Sequence, residues 1–279
     1  MTDSPRRAPA VLRLGTRRSA LALAQSRLVA ESLQRSAAAG GHPLRVELVE
    51  ITTPADLSPA PLTSFGGVGV FASALREALQ AGQVDLAVHS LKDLPTAPAD
   101  GLVLAAVPER ADPRDALVAR DGLDLAGLGP GARIGTGSPR RAAQLRALGT
   151  GLQPVEIRGN VDGRIERVRA GTLDGVLLAR AGLLRLGRAE EITEVIPVDT
   201  MLPAPGQGAL AVECLRGNTP VRSLLEPLDH RACRLAVHAE RSLLAVLDAG
   251  CSAPVGALAA LVEGPRGSVL SLRAVVASP

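Results

Sequence analysis

A lysine and an aspartate with the potential for chemistry stand side by side at Lys92 and Asp93, in the string HSLKDLPT. Lys92 is the only lysine among 279 residues, which also include thirty arginines. A compact ammonium kept where arginine is otherwise used indicates a site that a planar guanidinium would not fit. Asp93 could perform acid-base chemistry or hold a cation. The alternatives are that Lys92 reflects base-composition bias in the genome and that Asp93 is an ordinary turn residue before Pro95.

Two further strings place arginines at glycine turns between a strand and a helix. In RIGTGSPRR, residues 133–141, Pro139 opens a helix whose free backbone N–H groups could bind an anion. A dinucleotide fingerprint would need a third glycine, so the string favours binding of a carboxylate or phosphate. In IRGNVDGR, residues 157–164, Arg164 stands near a helix N-terminus, where a cation is unfavourable unless a ligand holds it. An ordinary capped helix with exposed arginines is the alternative for the first string.

Among the three cysteines, Cys251 has the surroundings of a reactive thiol. It lies in the glycine-flanked turn DAGCSAPV, whereas Cys214 falls in an apolar strand and Cys233 in a helix. The odd count and the lack of CxxC spacing argue against a disulfide framework and against a zinc site, and favour a reducing compartment. The four histidines show no ligand spacing, and we interpret them as structural or surface residues.

The composition restricts the class of partner. The net charge is +3, but the chain has no Trp, no Tyr and two Phe. Binding of single-stranded nucleic acid usually combines basic grooves with aromatic platforms, so we do not expect nucleic acid as a partner. The sequence shows neither a secretory signal nor eighteen consecutive apolar residues, and we therefore expect a soluble, intracellular protein without membrane contact.

Strand-like and helix-like segments alternate along the chain in two rounds, the second starting after Arg110. This pattern predicts mainly parallel sheets with helices on their faces, with residues 209–214 returning to the first unit. A proline- and glycine-broken loop over residues 52–69 is typical of a lid or a disordered segment. The predicted strands cover 11–15, 44–51, 84–88, 116–119, 133–135, 154–157, 175–178, 209–214, 255–262 and 268–276, and the predicted helices cover 17–38, 71–81, 139–148, 161–169 and 231–247.

Cations follow several of these predicted strands directly. Arg17 comes after the first strand, Lys92 after the third and Arg158 after the strand at 154–157. In open α/β sheets, ligands bind at the carboxyl ends of the strands. The positions of these cations therefore predict one shared anion-binding edge.

Seven strings in order along the chain resemble the hydroxymethylbilane synthase family, also called porphobilinogen deaminase. They are GTRRSALALAQ, HSLKDLPT, ERADPRDAL, IGTGSPRRAAQL, IRGNVDGR, LPAPGQGALAVEC and AGCSAPVG, and the match runs from about Leu12 to Gly256. The resemblance implies a transferase that joins four porphobilinogen molecules head to tail, with loss of ammonia, to give the linear tetrapyrrole hydroxymethylbilane.

The resemblance also implies roles for individual residues. One dipyrromethane primer per chain would be bound covalently through Cys251, and Asp93 would be the catalytic carboxylate. The implied carboxylate-binding residues are Arg17, Ser19, Ser90, Lys92, Thr136, Ser138, Arg140, Arg141, Arg158, Arg164 and Arg185, with Gln207 near the cleft. No metal is implied, and the substrate is the expected partner of a cytoplasmic monomer.

The implied fold is α/β, with two type II periplasmic-binding-protein-like domains around a cleft and a small α+β third domain. The first domain would comprise residues 1–108 and 205–225, the second 109–204 and the third 226–279. The third is shorter than in the family, which usually continues through another strand and a closing helix. Val68 stands in the predicted lid where many members have lysine, so we expect lid closure to differ.

Two alternatives to an active transferase stay open. A non-catalytic module of the same two-domain shape would capture a small anion with the arginines but would not need Asp93 and Cys251 together. A degenerate enzyme would keep the motifs and lack turnover.

Overall fold

The computed structural model describes residues 10–52, 70–249, 253–264 and 267–278. The predicted lid beyond Thr52, including Val68, and the thiol of Cys251 lie outside the described residues. Within the described ranges, no helix combines the length and the apolar character needed to span a bilayer.

The described residues form twelve strands and seven α-helices. The strands are β1 (Ala10–Arg17), β2 (Leu44–Ile51), β3 (Leu86–Ser90), β4 (Leu102–Ala106), β5 (Asp115–Ala119), β6 (Arg133–Thr136), β7 (Gln153–Glu156), β8 (Gly175–Ala179), β9 (Glu194–Val195), β10 (Leu210–Leu215), β11 (Val255–Gly264) and β12 (Gly267–Val276). The helices are α1 (Ala20–Ala39), α2 (Val70–Gln80), α3 (Pro139–Ala147), α4 (Val161–Arg169), α5 (Arg180–Arg185), α6 (Thr219–Leu225) and α7 (Arg231–Val246).

Capping side chains start three of these helices directly after strands. Ser19 accepts a hydrogen bond from the backbone N of Ala22 at 3.3 Å and caps α1. Ser138 caps α3, with Pro139 in the first turn, and Asn160 caps α4 by accepting from Gly163 N at 2.8 Å. Because each cap satisfies a free N–H of the first turn, the helix begins close to the carboxyl end of the preceding strand.

The first sheet has the strand order β2-β1-β3-β10-β4. β1 pairs in parallel with β2, from Ala10 opposite Leu44 to Arg17 opposite Ile51, and also with β3. β10 is antiparallel to both β3 and β4. Leu14, Leu33 and Leu86 are fully buried between the sheet and α1, and burying each such side chain contributes about 1.5–3 kcal/mol.

The second sheet repeats this order as β7-β6-β8-β5-β9, with β5 as the antiparallel strand. In both sheets, the antiparallel strand is the first strand after the chain crosses from the other half, β5 after β4 and β10 after β9. This crossed-over order is that of type II periplasmic binding proteins, and it confirms the expected fold class. The proposed domain boundaries themselves stay a prediction.

The two crossing segments lie backbone to backbone. Ala111 N donates to Gly208 O at 3.3 Å. Gly208 has a φ of +87°, and a Cβ at this position would lie 2.4 Å from Ala111 O. Only glycine fits this contact, so the two halves are joined at a close and sterically restricted crossing.

A third part consists of α7 and the antiparallel hairpin of β11 and β12, which pair from Val255 opposite Val276 onward. Glu240 of α7 is fully buried and accepts from Arg110 Nη1 at 2.6 Å and from Gly206 N at 2.6 Å. It also accepts from Ala259 N of β11 at 2.8 Å. The Glu240 carboxylate therefore links both crossing segments to the hairpin through hydrogen bonds. The helix and hairpin agree with a small α+β unit after the two sheets.

The predicted elements agree with the structure except at a few places. The strand at 44–51 and the helix at 161–169 match β2 and α4, and residues 209–214 do return to the first sheet as β10. The sequence pattern did not predict β4, α5, β9 and α6. These are short elements, of two to seven residues, in which a helical or alternating period gives only a weak signal.

Candidate active site

The predicted site residues lie at the carboxyl ends of strands in both sheets. Arg17 ends β1, and Ser90 ends β3 just before a 3₁₀ helix, Leu91–Asp93, that carries Lys92 and Asp93. In the second sheet, Thr136 ends β6 and Arg158 follows β7. The expected clustering of cations at these edges is therefore present in the fold.

A first cavity brings together Arg17, Ser19, Ser90 and Asp93. Gln25 of α1 also lines it and fixes the Ser90 hydroxyl, which lies 2.9 Å from Gln25 Nε2 and 3.1 Å from Gln25 Oε1. Asp93 is exposed and accessible from the cavity. The arrangement combines a guanidinium, two hydroxyls and one carboxylate, which suits a ligand with both anionic and basic groups.

A second cavity is lined by six of the predicted residues. They are Lys92, Asp93, Ser138, Arg140, Arg141 and Gln207. Ala253 and Val255, which follow Cys251 closely in the chain, line the same cavity from the third part of the molecule. Asp93 therefore faces both cavities.

Charges of both signs surround the Lys92 ammonium. Its Nζ lies 3.5 Å from Gln207 Oε1. Burial lowers the pKa of Lys92 to about 8, although the neighbouring Asp93 carboxylate counteracts this effect and the Arg141 guanidinium adds to it. A desolvated ammonium of this kind gains from a bound anion, because the anion supplies the charge partner that solvent does not.

Asp115, which is not among the predicted site residues, holds Arg140 and Arg141 in place. Its Oδ2 accepts from Arg140 Nη1 at 2.8 Å, and its Oδ1 accepts from Arg141 Nη2 at 2.7 Å and from Gln207 Nε2 at 2.8 Å. Burial raises the pKa of Asp115, but the charges of Arg140 and Arg141 outweigh burial and hold the pKa well below its usual range. The carboxylate therefore stays ionised and orients both guanidinium groups.

Four predicted residues lie outside the linings of these two cavities. Thr136 is buried, and its hydroxyl accepts from Ser138 N at 3.2 Å. Arg158 is exposed and pairs with Glu156 at 3.1 Å, and Arg164 donates to Gly159 O at 2.8 Å. Burial and the charges of neighbouring arginines lower the pKa of Arg164. Arg185 Nη2 donates to Gly208 O at 2.7 Å, and burial lowers its pKa to about 10.

His89, interpreted from the sequence as structural or surface, is buried and lines the first cavity. Its Nε2 lies 3.2 Å from Glu213 Oε2, and Arg76 of α2 donates to the same carboxylate at 2.8 Å. Burial raises the pKa of Glu213, but the neighbouring His89 and the two hydrogen bonds from Arg76 outweigh it and bring the pKa down to about 2. A charged residue inside the apolar string ALAVECL was the signal that could have identified Glu213.

The residues that line the second cavity suit the acetate and propionate groups of the dipyrromethane that the family resemblance implies. Three cations line it, and Arg140 Nε is buried without a hydrogen-bond partner among the described residues. A carboxylate would satisfy such a donor, since buried guanidinium groups require acceptors. Lys92, Ser138, Arg140 and Arg141 are the residues able to hold this group.

Fold and site together define a class: a two-domain α/β protein of type II periplasmic-binding topology with a cationic cleft lined by an accessible carboxylate, Asp93. Residues 12–223 match the family model described as porphobilinogen deaminase, dipyromethane cofactor binding domain, and residues 234–279 match the porphobilinogen deaminase C-terminal domain. The chain belongs to the porphobilinogen deaminase family, whose cofactor is dipyrromethane.

Individual relatives agree with the family models. Porphobilinogen deaminase 1 of Streptomyces avermitilis is 59% identical over 275 residues, covering 95% of this chain and 83% of that protein. Porphobilinogen deaminase of Mycobacterium tuberculosis is 54% identical over 273 residues, covering 96% and 86%. Among solved structures, lipoprotein Tp32 of Treponema pallidum has a TM-score of 0.48 at 13% identity, covering 78% of this chain and 89% of that one.

Proposed function

We propose that this chain condenses four porphobilinogen molecules head to tail, releasing ammonia and giving hydroxymethylbilane, with Asp93 as its catalytic carboxylate. The observation that carries the assignment of Asp93 is its position on the wall of both cavities. A group that faces both cavities can act on a substrate in one while an anchored chain occupies the other. Family membership favours this catalytic function over a non-catalytic anion-binding module.

Binding is assigned to the cations at the strand ends. Every substrate ring carries an acetate and a propionate, and a net charge of +3 spread over the molecule cannot neutralise several such rings. Guanidinium groups close to the ligand can neutralise these carboxylates, because each charge-assisted hydrogen bond contributes about 1.5–3 kcal/mol. The residues assigned to this role are Arg17, Ser19, Ser90, Lys92, Thr136, Ser138, Arg140, Arg141, Arg158, Arg164 and Arg185, with Gln207 orienting Lys92.

Asp93 is assigned the proton transfers. Its carboxyl group passes a proton to the aminomethyl nitrogen of porphobilinogen, the C–N bond breaks with its electrons on nitrogen, and ammonia leaves. The resulting carboxylate then stabilises the cation left on the substrate and takes up the proton that coupling releases. When bound, dipyrromethane supplies the pyrrole end to which the first substrate unit is joined.

Cys251 is assigned the covalent attachment of dipyrromethane. Supporting this role, Ala253 and Val255 line the same cavity as the arginine pair, so the chain beyond Cys251 reaches the anion-binding residues. Holding the primer on the protein keeps every intermediate in one place, which removes the entropic cost of repeated association. That the enzyme acts as a cytoplasmic monomer stays a prediction.

The test is turnover of porphobilinogen by Asp93→Asn, compared with the parent and with Asp100→Asn, an exposed carboxylate in the loop after the site. Asparagine can neither give nor accept the proton, so we expect a loss of about 10²–10⁴-fold in rate, whereas Asp100→Asn should match the parent. Product is measured as uroporphyrin colour after oxidation. Equal rates for Asp93→Asn and the parent would remove Asp93 from the mechanism.

The attachment residue is tested separately by intact mass. The parent should weigh more than its polypeptide by one dipyrromethane, and Cys251→Ser should have the mass of the bare polypeptide. An active Cys251→Ser protein, or an active parent whose Cys251 thiol is free to alkylate, would contradict the assignment.

A further inference from the structure

Arg241 of α7 reaches from the third part of the molecule to the segment that carries Asp93. Its Nη1 donates to Leu94 O at 2.7 Å and lies 3.4 Å from Leu91 O. Its Nη2 donates to Pro95 O at 2.7 Å. One planar guanidinium therefore contacts three backbone carbonyls that bracket Asp93 on both sides in the chain.

The side chains of Leu91 and Leu94 anchor the segment that carries Asp93 in the core, but its backbone forms only a short turn. The 3₁₀ helix Leu91–Asp93 is three residues long, and Leu94 N closes it on Leu91 O at 3.1 Å. Leu91 N donates a hydrogen bond to the carbonyl of Ala209, the residue before β10, at 3.1 Å. So short a helix takes its geometry from outside contacts, because isolated 3₁₀ turns have poor hydrogen-bond geometry. For the backbone carbonyls of this segment, the outside contact is the Arg241 guanidinium.

We infer that Arg241 is a positioning residue for the reaction: it sets the place of the Asp93 carboxylate by fixing the carbonyls of Leu94 and Pro95. This role rests on the proposed function of Asp93. It makes the third part of the molecule a contributor to the chemistry, in addition to the attachment of dipyrromethane. Arginine suits the role because its fork reaches two acceptors in one plane, which a lysine ammonium does not.

The same helix provides a matched control. Arg234, seven residues earlier, also donates from α7 to backbone carbonyls of the first sheet, to Leu104 O at 3.3 Å and Ala105 O at 3.0 Å. Those carbonyls belong to β4 rather than to the Asp93 segment. Loss of Arg234 removes a comparable attachment of α7 without touching the carboxylate.

The experiment measures kcat and KM for porphobilinogen with Arg241→Met, Arg241→Lys and Arg234→Met holoenzymes, each verified by intact mass to carry its cofactor. A carboxylate displaced by about 1 Å can cost about 10²-fold in rate. We therefore expect kcat of Arg241→Met to fall by about that factor while KM changes little, since binding is left to other residues. Arg241→Lys should restore part of kcat, and Arg234→Met should lower thermal stability and leave kcat unchanged.

The outcomes separate this inference from the function on which it depends. An unchanged kcat for Arg241→Met holoenzyme, or equal losses of kcat for Arg241→Met and Arg234→Met, would overturn the positioning role. If Arg241→Met does not fold, Arg241→Lys decides: a reduced kcat at unchanged KM supports the role and a parental kcat overturns it. Asp93→Asn measured in parallel tests the proposed function alone, because retained activity there would remove the carboxylate that Arg241 is inferred to position.

Discussion

Single charged residues beneath the cleft determine how its arginines can act. Arg140 and Arg141 stand next to each other on α3, and two adjacent cations would repel and turn apart without a shared anion. Asp115 accepts from both and is completely buried. Asp115 therefore holds both guanidinium groups in one orientation on the wall of the second cavity. Because its carboxylate is buried and charged, it must stay paired with them.

Replacing Asp115 by asparagine should be strongly destabilising. The change leaves two buried guanidinium groups without their carboxylate, and breaking a buried ion pair in this way costs about 3–5 kcal/mol of the free energy of unfolding. The measurement is urea denaturation at neutral pH, with parent and variant in the same cofactor state. Asp121→Asn is the control, because Asp121 forms an exposed pair with Arg120 and should lose less than about 1 kcal/mol. A comparable loss in both variants would contradict a special role for Asp115.

At the scale of elements, buried charges also join helices to sheets. Glu213 of β10 binds Arg76 of α2 and lies beside His89 of β3, so one carboxylate connects three elements under the first cavity. Burial alone would raise the pKa of Glu213, but the hydrogen bonds from Arg76 and the proximity of His89 outweigh it and bring the pKa to about 2, against 4.5 for an ordinary glutamate. The stabilisation from Glu213 is then fully present above about pH 4.5 and is lost as the pH falls towards 2.

We expect Glu213→Gln to flatten this acid limb of the stability curve. Across that window the parent should lose roughly 3 kcal/mol of its free energy of unfolding through this one group. The variant, although less stable at pH 6, lacks that component and should lose correspondingly less. Urea denaturation at several pH values measures both curves, with Glu166→Gln, an exposed position, as the control. Parallel curves for the parent and Glu213→Gln would show that Glu213 does not carry the shift.

Much of the element order could be predicted from sequence, and the charged supports of the site could not. Arg17, Lys92 and Arg158 stand at the ends of apolar runs, so the edge where they meet follows from strand direction alone. Asp115 and Glu213 are single charges inside strands, and their partners are 25 and 137 positions away for Arg140 and Arg76. Nothing local in the sequence indicates which distant cation will lie beside such a carboxylate, because the pairing depends on how the sheet closes.

At the scale of the whole molecule, cations gather around the two cavities. Lys92, Arg140 and Arg141 line one cavity, and Arg17 lines the cavity on the other side of Asp93. Without a bound polyanion, Arg140 and Arg141 repel Lys92, and Asp93 and Asp115 compensate only part of this repulsion. The protein should therefore be less stable without its cofactor than with it.

The comparison of apoprotein and holoenzyme tests this expectation. Cys251→Ser, which lacks the attachment thiol, should melt about 5 °C or more below the holoenzyme at low salt, as expected for the loss of a few charge-assisted contacts in a chain of this size. High salt should narrow the difference, because mobile anions screen the exposed part of the repulsion. Calorimetry in the two salts measures both effects. Equal melting temperatures at low salt would contradict the charge argument, provided that intact mass confirms the cofactor difference.

The three contacts of Glu240 limit how this protein can be recombined with its relatives. The carboxylate binds Arg110, the backbone of Gly206 and the backbone of Ala259, which come from three distant stretches of the chain. In a chimera that exchanged residues 226–279 for those of another protein, Glu240 would be replaced by a residue of that protein, whereas its partner Arg110 would stay. Such chimeras should fold only when the residues at positions 110 and 240 are exchanged together. Residues 226–279 are therefore not a unit that can be exchanged independently of the two sheets.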